Sequence, residues 1–427
     1  METKKIILIG AGHRGMGYTD IAADIGGFKV VAVAEPIDAR REYVAKKHGI
    51  PEDMCFTTWE PLLALGKIAD AAIICTMDRE HCAPAVEAMK VGYDLLLEKP
   101  AAPTPEDCAI IAKTARETGA RVLVCHVLRY TQFFRALKSI IVSGKIGDII
   151  TVDHTEGVGN IHQTHSFIRG NWGNEGRSSF MLLQKSCHDL DILQWLIGKK
   201  CLKIQSFGSL KFFTEKNAPE GATKRCLDCP HVDTCPYSAK KIYLEGRPDY
   251  AWLKRAAPRC NIKDIKNPSY EELLEVINTT NFGVCVFKCD NDVVDHQTVN
   301  MEFEDGITCT FNMNAFTRSG RRIRISGTKG EIYAEMGNNI IKFHCEATRT
   351  NEDIDINTAV LDESIASGHG GGDSGIMRSF HEMLCGADIS ELSNIQISVE
   401  NHMLAFAAEA SRHEGRVVSI SEYERYT

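Results

Sequence analysis

A glycine-rich turn near the amino terminus constrains this chain more than any other feature of its sequence. The apolar run Ile6–Ile9 is followed at once by GAGHRG, residues 10–15, which matches the pattern GxGxxG. A strand before this motif and a helix after it predict a site that holds the pyrophosphate of a dinucleotide. Gly10 permits the tight turn, Gly12 lets the backbone approach the phosphates, and Gly15 allows close packing of the helix on the strand.

An acidic residue predicts which dinucleotide binds. His13 and Arg14 fill the variable positions of the motif, and the helix amides there are expected to hold the phosphates. Glu35 ends the second apolar run, 25 positions after the first motif glycine. This is close to the roughly 20 expected for the carboxylate that binds the ribose. Glu35 repels a 2′-phosphate, which favours NAD over NADP, although Arg40 and Arg41 lie nearby and keep NADP open.

Two periodicities alternate over the first 126 residues, because short apolar runs are separated by segments of helical length. We predict strands at 6–9, 30–34, 71–75, 95–97 and 122–125, and helices at about 14–26, 38–48, 79–91 and 105–118. Continuous apolar strands between helices are typical of a parallel sheet covered on both faces. The sequence therefore predicts an α/β domain with a doubly wound parallel sheet over residues 1–126.

The pattern changes after residue 126. Strand-like segments now dominate, and several alternate apolar with polar residues, as in an antiparallel sheet with one solvated face. We predict strands at 147–156, 201–213, 293–303, 307–316, 321–326 and 339–345, helices near 131–143 and 398–412, and a short last strand at 417–420. Residues 127–427 are thus expected to form an α+β domain with a large open sheet. A cysteine-rich insert at about 217–262 and a glycine-rich loop at 367–375 interrupt it.

Composition excludes several classes of protein. At roughly 150 residues per domain, 427 residues suggest two or three domains. The net charge of −8 gives no electrostatic footprint for nucleic acid. The sequence contains no run of about 18 apolar residues, so no membrane-spanning helix is predicted. Because the first apolar run is too short for a signal peptide, a cytoplasmic protein is expected.

Three further segments identify a family. IICTMDREH (residues 73–81), the triplet EKP (98–100) and HVLRYTQFFRALKSIIVSGKIGD (126–148) resemble the Gfo/Idh/MocA oxidoreductases. The resemblance implies a Rossmann domain followed by an α+β domain whose open sheet forms a homodimer or homotetramer. It also implies a sugar-like substrate beside the nicotinamide. By matching motif, Thr76 and His81 fall where the family contacts the cofactor, and Glu98 and Lys99 line the nicotinamide and the substrate.

Lys99 is the first candidate catalytic residue. It follows an apolar strand at the end where doubly wound sheets bind ligands, and an ammonium there can polarise a hydroxyl or carbonyl oxygen. His188 is the second, because a neutral histidine near the amino end of its helix can take a proton from a substrate hydroxyl. Where the family usually has an aspartate, this chain has Gln184, which cannot act as a base. Lys185 is expected to take over part of that role.

Six other residues are candidate substrate contacts. One follows the predicted strand at 122–125, and three lie between the strand at 147–156 and the helix that carries His188. The other two lie in the glycine-rich loop, which resembles a family segment that closes near the active site. Rings and guanidinium groups of this kind bind and stack against sugars. These candidates are Tyr130, Arg169, Trp172, Arg177, His369 and Asp373.

The cysteine-rich insert predicts a metal site. Cys226, Cys229 and Cys235 follow the pattern C-x2-C-x5-C, and closely spaced thiolates in a reducing compartment favour structural zinc. The fourth ligand is taken as Cys260, with Cys285, Cys289 and His231 as alternatives. An iron–sulfur cluster bound by the same cysteines is the alternative to zinc.

The sequence is compatible with three functions. The first is NAD-dependent oxidation of a secondary hydroxyl of a sugar or glycoside, in which Lys99 and His188 handle the proton. The second is an NAD-dependent glycoside hydrolase that works by transient oxidation, elimination, water addition and re-reduction. The third is a protein that binds NAD without turnover.

Overall fold

The structure is a computed structural model that describes residues 2–246, 267–356 and 371–427. The strands are β1 (Lys4–Ile9), β2 (Phe28–Ala34), β3 (Cys55–Phe56), β4 (Ala71–Ile74), β5 (Asp94–Leu97), β6 (Val122–Val124), β7 (Ile149–Gly157), β8 (Cys201–Ser209), β9 (His296–Phe303), β10 (Thr308–Asn314), β11 (Gly320–Gly327), β12 (Gly330–Glu335), β13 (Ile340–Cys345), β14 (Thr350–Asp355) and β15 (Val418–Ser419). The α-helices are α1 (His13–Ile25), α2 (Asp38–His48), α3 (Trp59–Leu63), α4 (Cys82–Val91), α5 (Pro105–Thr118), α6 (Gln132–Val142), α7 (Asn160–Thr164), α8 (Met181–Ile197), α9 (Tyr270–Thr279), α10 (Gly372–Leu384) and α11 (Ile395–Glu414).

The first sheet has six parallel strands in the order β3-β2-β1-β4-β5-β6. Its central strands are buried on both faces: Ile6–Ile9 and Ala71–Ile74 are at most 1% exposed. The predicted doubly wound sheet is therefore confirmed. The strand order reverses between β1 and β4, and sheets of this kind bind ligands at the carboxyl ends of the strands beside that point.

The second sheet has nine strands in the order β14-β13-β12-β11-β7-β10-β9-β8-β15. Only the β7–β10 pair is parallel among the pairs of this sheet in the described residues. Burial alternates along the strands: in β7, Val152, His154 and Glu156 point to the covered face, and Asp153 is exposed. The predicted mostly antiparallel open sheet is thus confirmed.

Helices α8 and α11 cover the inner face of the second sheet and contact each other. One hydrophobic cluster runs from Ile7 of β1 through the α8 residues to Phe311 of β10, so the two sheets share a continuous core. This core holds the carboxyl ends of β4 and β5 beside α8, and the cleft between the two sheets is formed there.

Helix α10 packs on the first sheet although it lies late in the sequence. Ile376, Met377 and Phe380 belong to the cluster that contains Ile6 and Leu8 of β1. The sequence predicted a closing loop over 367–375, but residues 372–375 begin this helix. Its glycines serve close packing, since a Cβ on Gly372 would lie 2.3 Å from the carbonyl oxygen of Val127.

The helices found among the described residues include none with the length and apolar character needed to cross a bilayer.

Candidate functional site

The glycine turn has the geometry that a dinucleotide requires. Gly10 has φ +90°, and a Cβ there would lie 2.5 Å from the carbonyl carbon of Cys75 on the neighbouring strand. A Cβ on Gly15 would lie 2.1 Å from the carbonyl oxygen of Gly10, so α1 packs directly on the turn. By contrast, a Cβ on Gly12 would meet no atom within 4 Å. Gly12 therefore leaves open space before the first turn of α1, where exposed His13 starts the helix.

Glu35 lies at the end of β2 beside this space. Its carboxylate accepts hydrogen bonds from the backbone N–H of Ala11 (2.7 Å) and of Ile37 (3.1 Å), so it is fixed against the glycine turn. Arg40 lies 3.9 Å from the same carboxylate. Arg41 donates to the carbonyl oxygen of Glu35 at 2.7 Å and also bonds to Asp38. Both arginines thus face carboxylates, which reduces their capacity for a 2′-phosphate.

Thr76 and His81 shape the loop after β4. Thr76 Oγ1 donates to the carbonyl oxygen of Glu80 at 3.0 Å. The two ring nitrogens of buried His81 lie 2.8 Å from the carbonyl oxygen of Pro100 and 3.1 Å from that of Thr76. His81 therefore ties the end of β4 to the residues after β5, and its ring acts on the loop backbone.

Half-buried Arg14 and buried Glu98 form a hydrogen-bond network beside the turn. Arg14 Nε donates to Glu98 Oε1 at 2.7 Å, and Arg14 Nη2 donates to Asp373 Oδ1 at 2.7 Å. Tyr18 donates to Glu98 at 2.9 Å, and the backbone N–H of Lys99 donates to its second oxygen at 2.8 Å. Burial opposes ionisation of Glu98, but Arg14 and Lys99 outweigh it and hold the pKa of Glu98 below its ordinary value. The carboxylate thus fixes the backbone that carries Lys99.

Lys99 reaches across the cleft to α8. Its Nζ donates to the carbonyl oxygen of Gln184 at 2.6 Å. Gln184 therefore contributes its backbone at this point. Lys185 turns the other way and lies 3.1 Å from Glu156 Oε1 of β7. The two lysines and the carboxylate bring the end of β5, helix α8 and the second sheet together.

His188 lies in the middle of α8, since the helix begins at Met181. The prediction that it sits near the amino end of its helix is wrong, and the helix dipole does not act on it as expected. Its ring instead makes an edge-to-face contact with His126, with centroids 5.8 Å apart. His126 makes a similar contact with His402 at 5.5 Å. Burial lowers the pKa of His126 and lowers that of His402 to about 3, and the charge of Lys99 adds to both effects.

Two aspartates of α8 are used in buried ion pairs. Asp189 accepts two hydrogen bonds from Arg321, at 2.7 and 3.1 Å, and lies 2.8 Å from His154 Nε2. Burial opposes its ionisation, but Arg321 and His154 prevail and hold the pKa of Asp189 well below its usual range. Asp191 accepts from Arg129 Nε at 2.7 Å and Nη2 at 2.8 Å. Both carboxylates therefore hold α8 in place.

Sequence reasoning did not single out several residues of this cleft. His126 and His402 line the row of rings beside Lys99, and Glu156 pairs with Arg321 directly across β7 and β11. Arg321 Nε lies 3.0 Å from Glu156. The sequence contained a signal for Glu156 only. In β7, His154 and Glu156 stand two positions apart on a face that is otherwise apolar, which indicates buried polar side chains.

Two predicted substrate contacts lie in the interior instead. Tyr130 is 6% exposed, and its hydroxyl lies 2.9 Å from Ser393 Oγ. Arg169 is 1% exposed and donates to the carbonyl oxygens of Val284 (2.9 Å) and Tyr237 (2.7 Å). Burial and these partners place both side chains in packing positions, which corrects the expectation that they face a sugar.

The other candidates also have protein partners. Trp172 Nε1 donates to Asp78 at 3.4 Å, so it joins the segment before α8 to the loop after β4. Exposed Arg177 forms an ion pair with Asp290 on the surface. Asp373, in the first turn of α10, accepts hydrogen bonds from Arg14 Nη1 at 3.2 Å and Nη2 at 2.7 Å. His369 lies outside the described residues.

Four thiols line one cleft, three of them from the cysteine-rich insert. Cys226, Cys229 and Cys235 line it together with Cys285, which comes from the segment before β9. Cys260, the expected fourth ligand, lies outside the described residues, as does the end of the predicted insert.

Comparison with known proteins covers both domains. A model described as an oxidoreductase family with an NAD-binding Rossmann fold matches residues 4–126. A second model, described as the C-terminal alpha/beta domain of an oxidoreductase family, matches residues 138–420.

Curated relatives are similar over part of their length. A putative oxidoreductase, YteT of Bacillus subtilis, is 24% identical over 268 residues, which cover 62% of this chain and 59% of the relative. The inositol 2-dehydrogenase of Burkholderia multivorans is 26% identical over 205 residues, or 48% of this chain and 57% of the relative. The chain thus spans less than two thirds of the length of these relatives.

Solved structures share the fold over nearly the whole chain. An NAD-binding oxidoreductase from Klebsiella pneumoniae aligns with a TM-score of 0.71 at 16% identity, over 98% of this chain and 99% of that chain. An oxidoreductase from Agrobacterium radiobacter, in complex with NAD+, L-tartaric acid and magnesium, aligns with a TM-score of 0.68 at 15% identity over the same shares.

Proposed function

Because the chain belongs to the Gfo/Idh/MocA oxidoreductase family, we propose that it oxidises a secondary hydroxyl of a sugar or sugar-like polyol with NAD as the hydride acceptor. Relatives named inositol 2-dehydrogenase support a polyhydroxylated substrate. The observation that carries the proposal is the position of Lys99. Its ammonium extends from the carboxyl end of β5, beside the glycine turn, to a carbonyl oxygen of α8.

The cofactor site suits NAD on the geometry of this chain. Gly12 leaves room for a pyrophosphate at the start of α1, and Glu35 lies where ribose hydroxyls need an acceptor. NAD, when bound, takes up the hydride released from the substrate carbon. Gly10, Gly12, Gly15 and Glu35 would hold it, and Glu35 disfavours the 2′-phosphate of NADP.

Lys99 and His188 would manage the proton. As the carbon of the substrate loses a hydride, its hydroxyl loses a proton, and negative charge develops on the oxygen. The Lys99 ammonium stabilises that charge, while the neighbouring carbonyl of Gln184 keeps Nζ in place. His188 receives the proton as a general base. The row of His126 and His402 behind it stays uncharged near neutral pH, so it adds no second cation beside the ammonium.

Lys185 plays a supporting role in this proposal. Its pairing with Glu156 neutralises a carboxylate that has only 3% of its surface exposed. We expect Lys185 to position α8 in the cleft and not to exchange protons with the substrate.

The test is a panel of sugars and cyclic polyols with NAD, followed by NADH absorbance. Lys99→Ala is expected to lower kcat/KM by about 10²- to 10⁴-fold, because it removes an acid–base and electrostatic group, while the Kd for NAD stays unchanged. Lys90→Ala is the matched control, since Lys90 pairs with Glu87 on the exposed side of α4. Near wild-type turnover of Lys99→Ala would remove Lys99 from the mechanism.

The same panel, extended to chromogenic glycosides, distinguishes the other functions. Release of the aglycone without net NADH would favour the glycoside hydrolase that the sequence left open. NAD binding without any product would favour a protein that senses NAD. Stoichiometric NADH with free polyols is the result that the proposal requires.

Assembly into a homodimer or homotetramer through the outer face of the second sheet is part of the proposal, and so is a cytoplasmic location. Phe207 of β8 and Tyr333 of β12 are 59% and 42% exposed on that sheet. Association through this face would remove these two apolar side chains from water. The metal site predicted for the cysteine-rich insert does not depend on this proposed function.

A further inference from the structure

Four cysteines from two distant segments line one cleft in the second domain. The backbone brings them together: the N–H of Cys226 donates to the carbonyl oxygen of Gly283 at 2.8 Å, and the N–H of Cys285 donates to that of Lys224 at 2.9 Å. This short antiparallel pairing sets Cys285 beside Cys226. The turns that follow carry Cys229 and Cys235 to the same cleft, which has a volume of about 330 Å³ including space open to solvent.

The spacing of the sulfur atoms separates two kinds of metal centre. Tetrahedral zinc, with Zn–S distances of about 2.3 Å, draws its four sulfurs to roughly 3.8 Å from one another. Over the described ranges, no three of these cysteine sulfurs all lie within 4.8 Å of one another. A four-iron cluster binds one thiolate at each iron, so its four sulfur ligands stand farther apart. We propose that Cys226, Cys229, Cys235 and Cys285 bind a [4Fe–4S] cluster.

The surroundings of the cleft suit such a cluster. Apolar side chains, among them Val232 and Phe287, line it with the cysteines. Arg169 Nη2 lies 3.2 Å from Cys226 Sγ, which places a buried positive charge beside the thiolates. The Arg169 guanidinium also interacts with the buried hydroxyl of Tyr243. Its Nη2 is the donor that reaches a cysteine sulfur in this cleft.

Binding involves no change of oxidation state. Each of the four cysteine thiols displaces one terminal thiolate from an iron of a preformed iron–sulfide cluster, and the leaving thiolate takes the proton of the cysteine. The cluster would tie residues 226–235 to the segment at 285. It would also anchor Arg169, which is followed by the segment of Trp172 that contacts Asp78 beside the dinucleotide turn. The role is structural and does not depend on the proposed function.

The experiment uses the full chain purified without oxygen and then reconstituted with equal amounts of ferrous and ferric iron together with sulfide. Iron, acid-labile sulfide and zinc are quantified, and the reduced protein is examined by electron paramagnetic resonance. We expect about four iron and four sulfide per chain with the visible absorption of a cluster. About one zinc per chain without iron, or a folded protein that takes up no metal, would overturn the proposal.

Single substitutions identify the fourth ligand. Cys285→Ser is expected to lose the cluster or convert it to a three-iron form, because one iron loses its thiolate. Cys289→Ser is the matched control, since this thiol donates to the carbonyl oxygen of Cys285 at 3.4 Å and lines a different cleft. Cys260→Ser tests the ligand expected from the sequence. Retention of four iron by Cys285→Ser, or loss of iron in either control, would contradict the assignment.

Discussion

The buried row of histidines behind Lys99 makes a measurable prediction for His402. Its ring is fully buried, and its Nε2 accepts a hydrogen bond from the backbone N–H of Ala101 at 2.9 Å. Protonation of Nε2 would break that bond and place a second cation near Lys99. Burial first, and then the neighbouring His126, lower the pKa of His402 to about 3. In the unfolded chain the same ring should titrate near its ordinary pKa of 6.5.

This difference in pKa makes the free energy of unfolding depend on pH. Between pH 6.5 and pH 3 the unfolded state binds a proton that the folded state excludes, so the free energy of unfolding falls as the pH falls through this window. Above pH 6.5 the ring is neutral in both states, and the contribution of His402 to the free energy of unfolding is complete. At pH 5, about 1.5 pH units below the ordinary pKa, the loss is about 2 kcal/mol at roughly 1.36 kcal/mol per unit. At this pH the unfolded state binds about one proton more at His402 than the folded state does.

The assay measures the protons taken up when the protein is unfolded by urea at pH 5, with a pH-stat. His402→Gln keeps an acceptor for the Ala101 N–H but has no group that titrates. We expect the variant to take up about one proton fewer than wild type at pH 5, and the same number at pH 8. His413→Gln is the control, because His413 lies on the same helix as His402 but is 60% exposed at its end. Equal uptake by wild type and His402→Gln at pH 5 would refute the reasoning.

Three other substitutions test the site and the assembly. Glu35→Gln removes the charge that repels a 2′-phosphate, and calorimetric Kd values should show NADP gaining at least about tenfold relative to NAD; an unchanged ratio would assign cofactor choice to other residues. Asp373→Asn removes the carboxylate from Arg14, and we expect a loss of about 1–3 kcal/mol in unfolding free energy, seen as a lower Tm in calorimetry. Phe207→Lys on the open sheet should reduce the assembly mass in light scattering, whereas Val142→Lys at the exposed end of α6 should not; identical masses for the two would argue against this face as the interface.

Local patterns predicted the first domain closely. The helices at 38–48 and 105–118 begin and end where the sequence placed them. Both end at a left-handed glycine, and Thr104 caps the start of the second helix. Strands β12 and β14 were not predicted. The sequence of β14, TNEDID, is largely exposed at the edge of the sheet, so burial imposes no alternation of apolar residues on it.

The parts of the site that escaped prediction depend on contacts between distant residues. Arg14 and Asp373 are 359 positions apart, and only the packing of α10 on α1 brings them together. Gly375 resembles a loop residue in sequence, yet it lies in a helix, where a Cβ would come within 2.7 Å of Tyr130 Cβ. In sequence, a glycine fits both a flexible loop and a close contact between packed elements. Only the residue packed against it in the fold distinguishes the two.

The late position of α10 affects how this protein is synthesised. The first sheet presents Leu8 and Ile73 to a helix that ends at residue 384, more than 250 residues after the sheet's last strand. At about 5–20 residues per second, the ribosome needs on the order of 10–50 s to make that helix. During that time α1 and α2 cover only their part of this apolar face, and the patch that α10 covers in the folded protein is open. The first domain is thus completed almost last, and a fragment that stops at residue 126 would emerge with this patch open to chaperones and to aggregation.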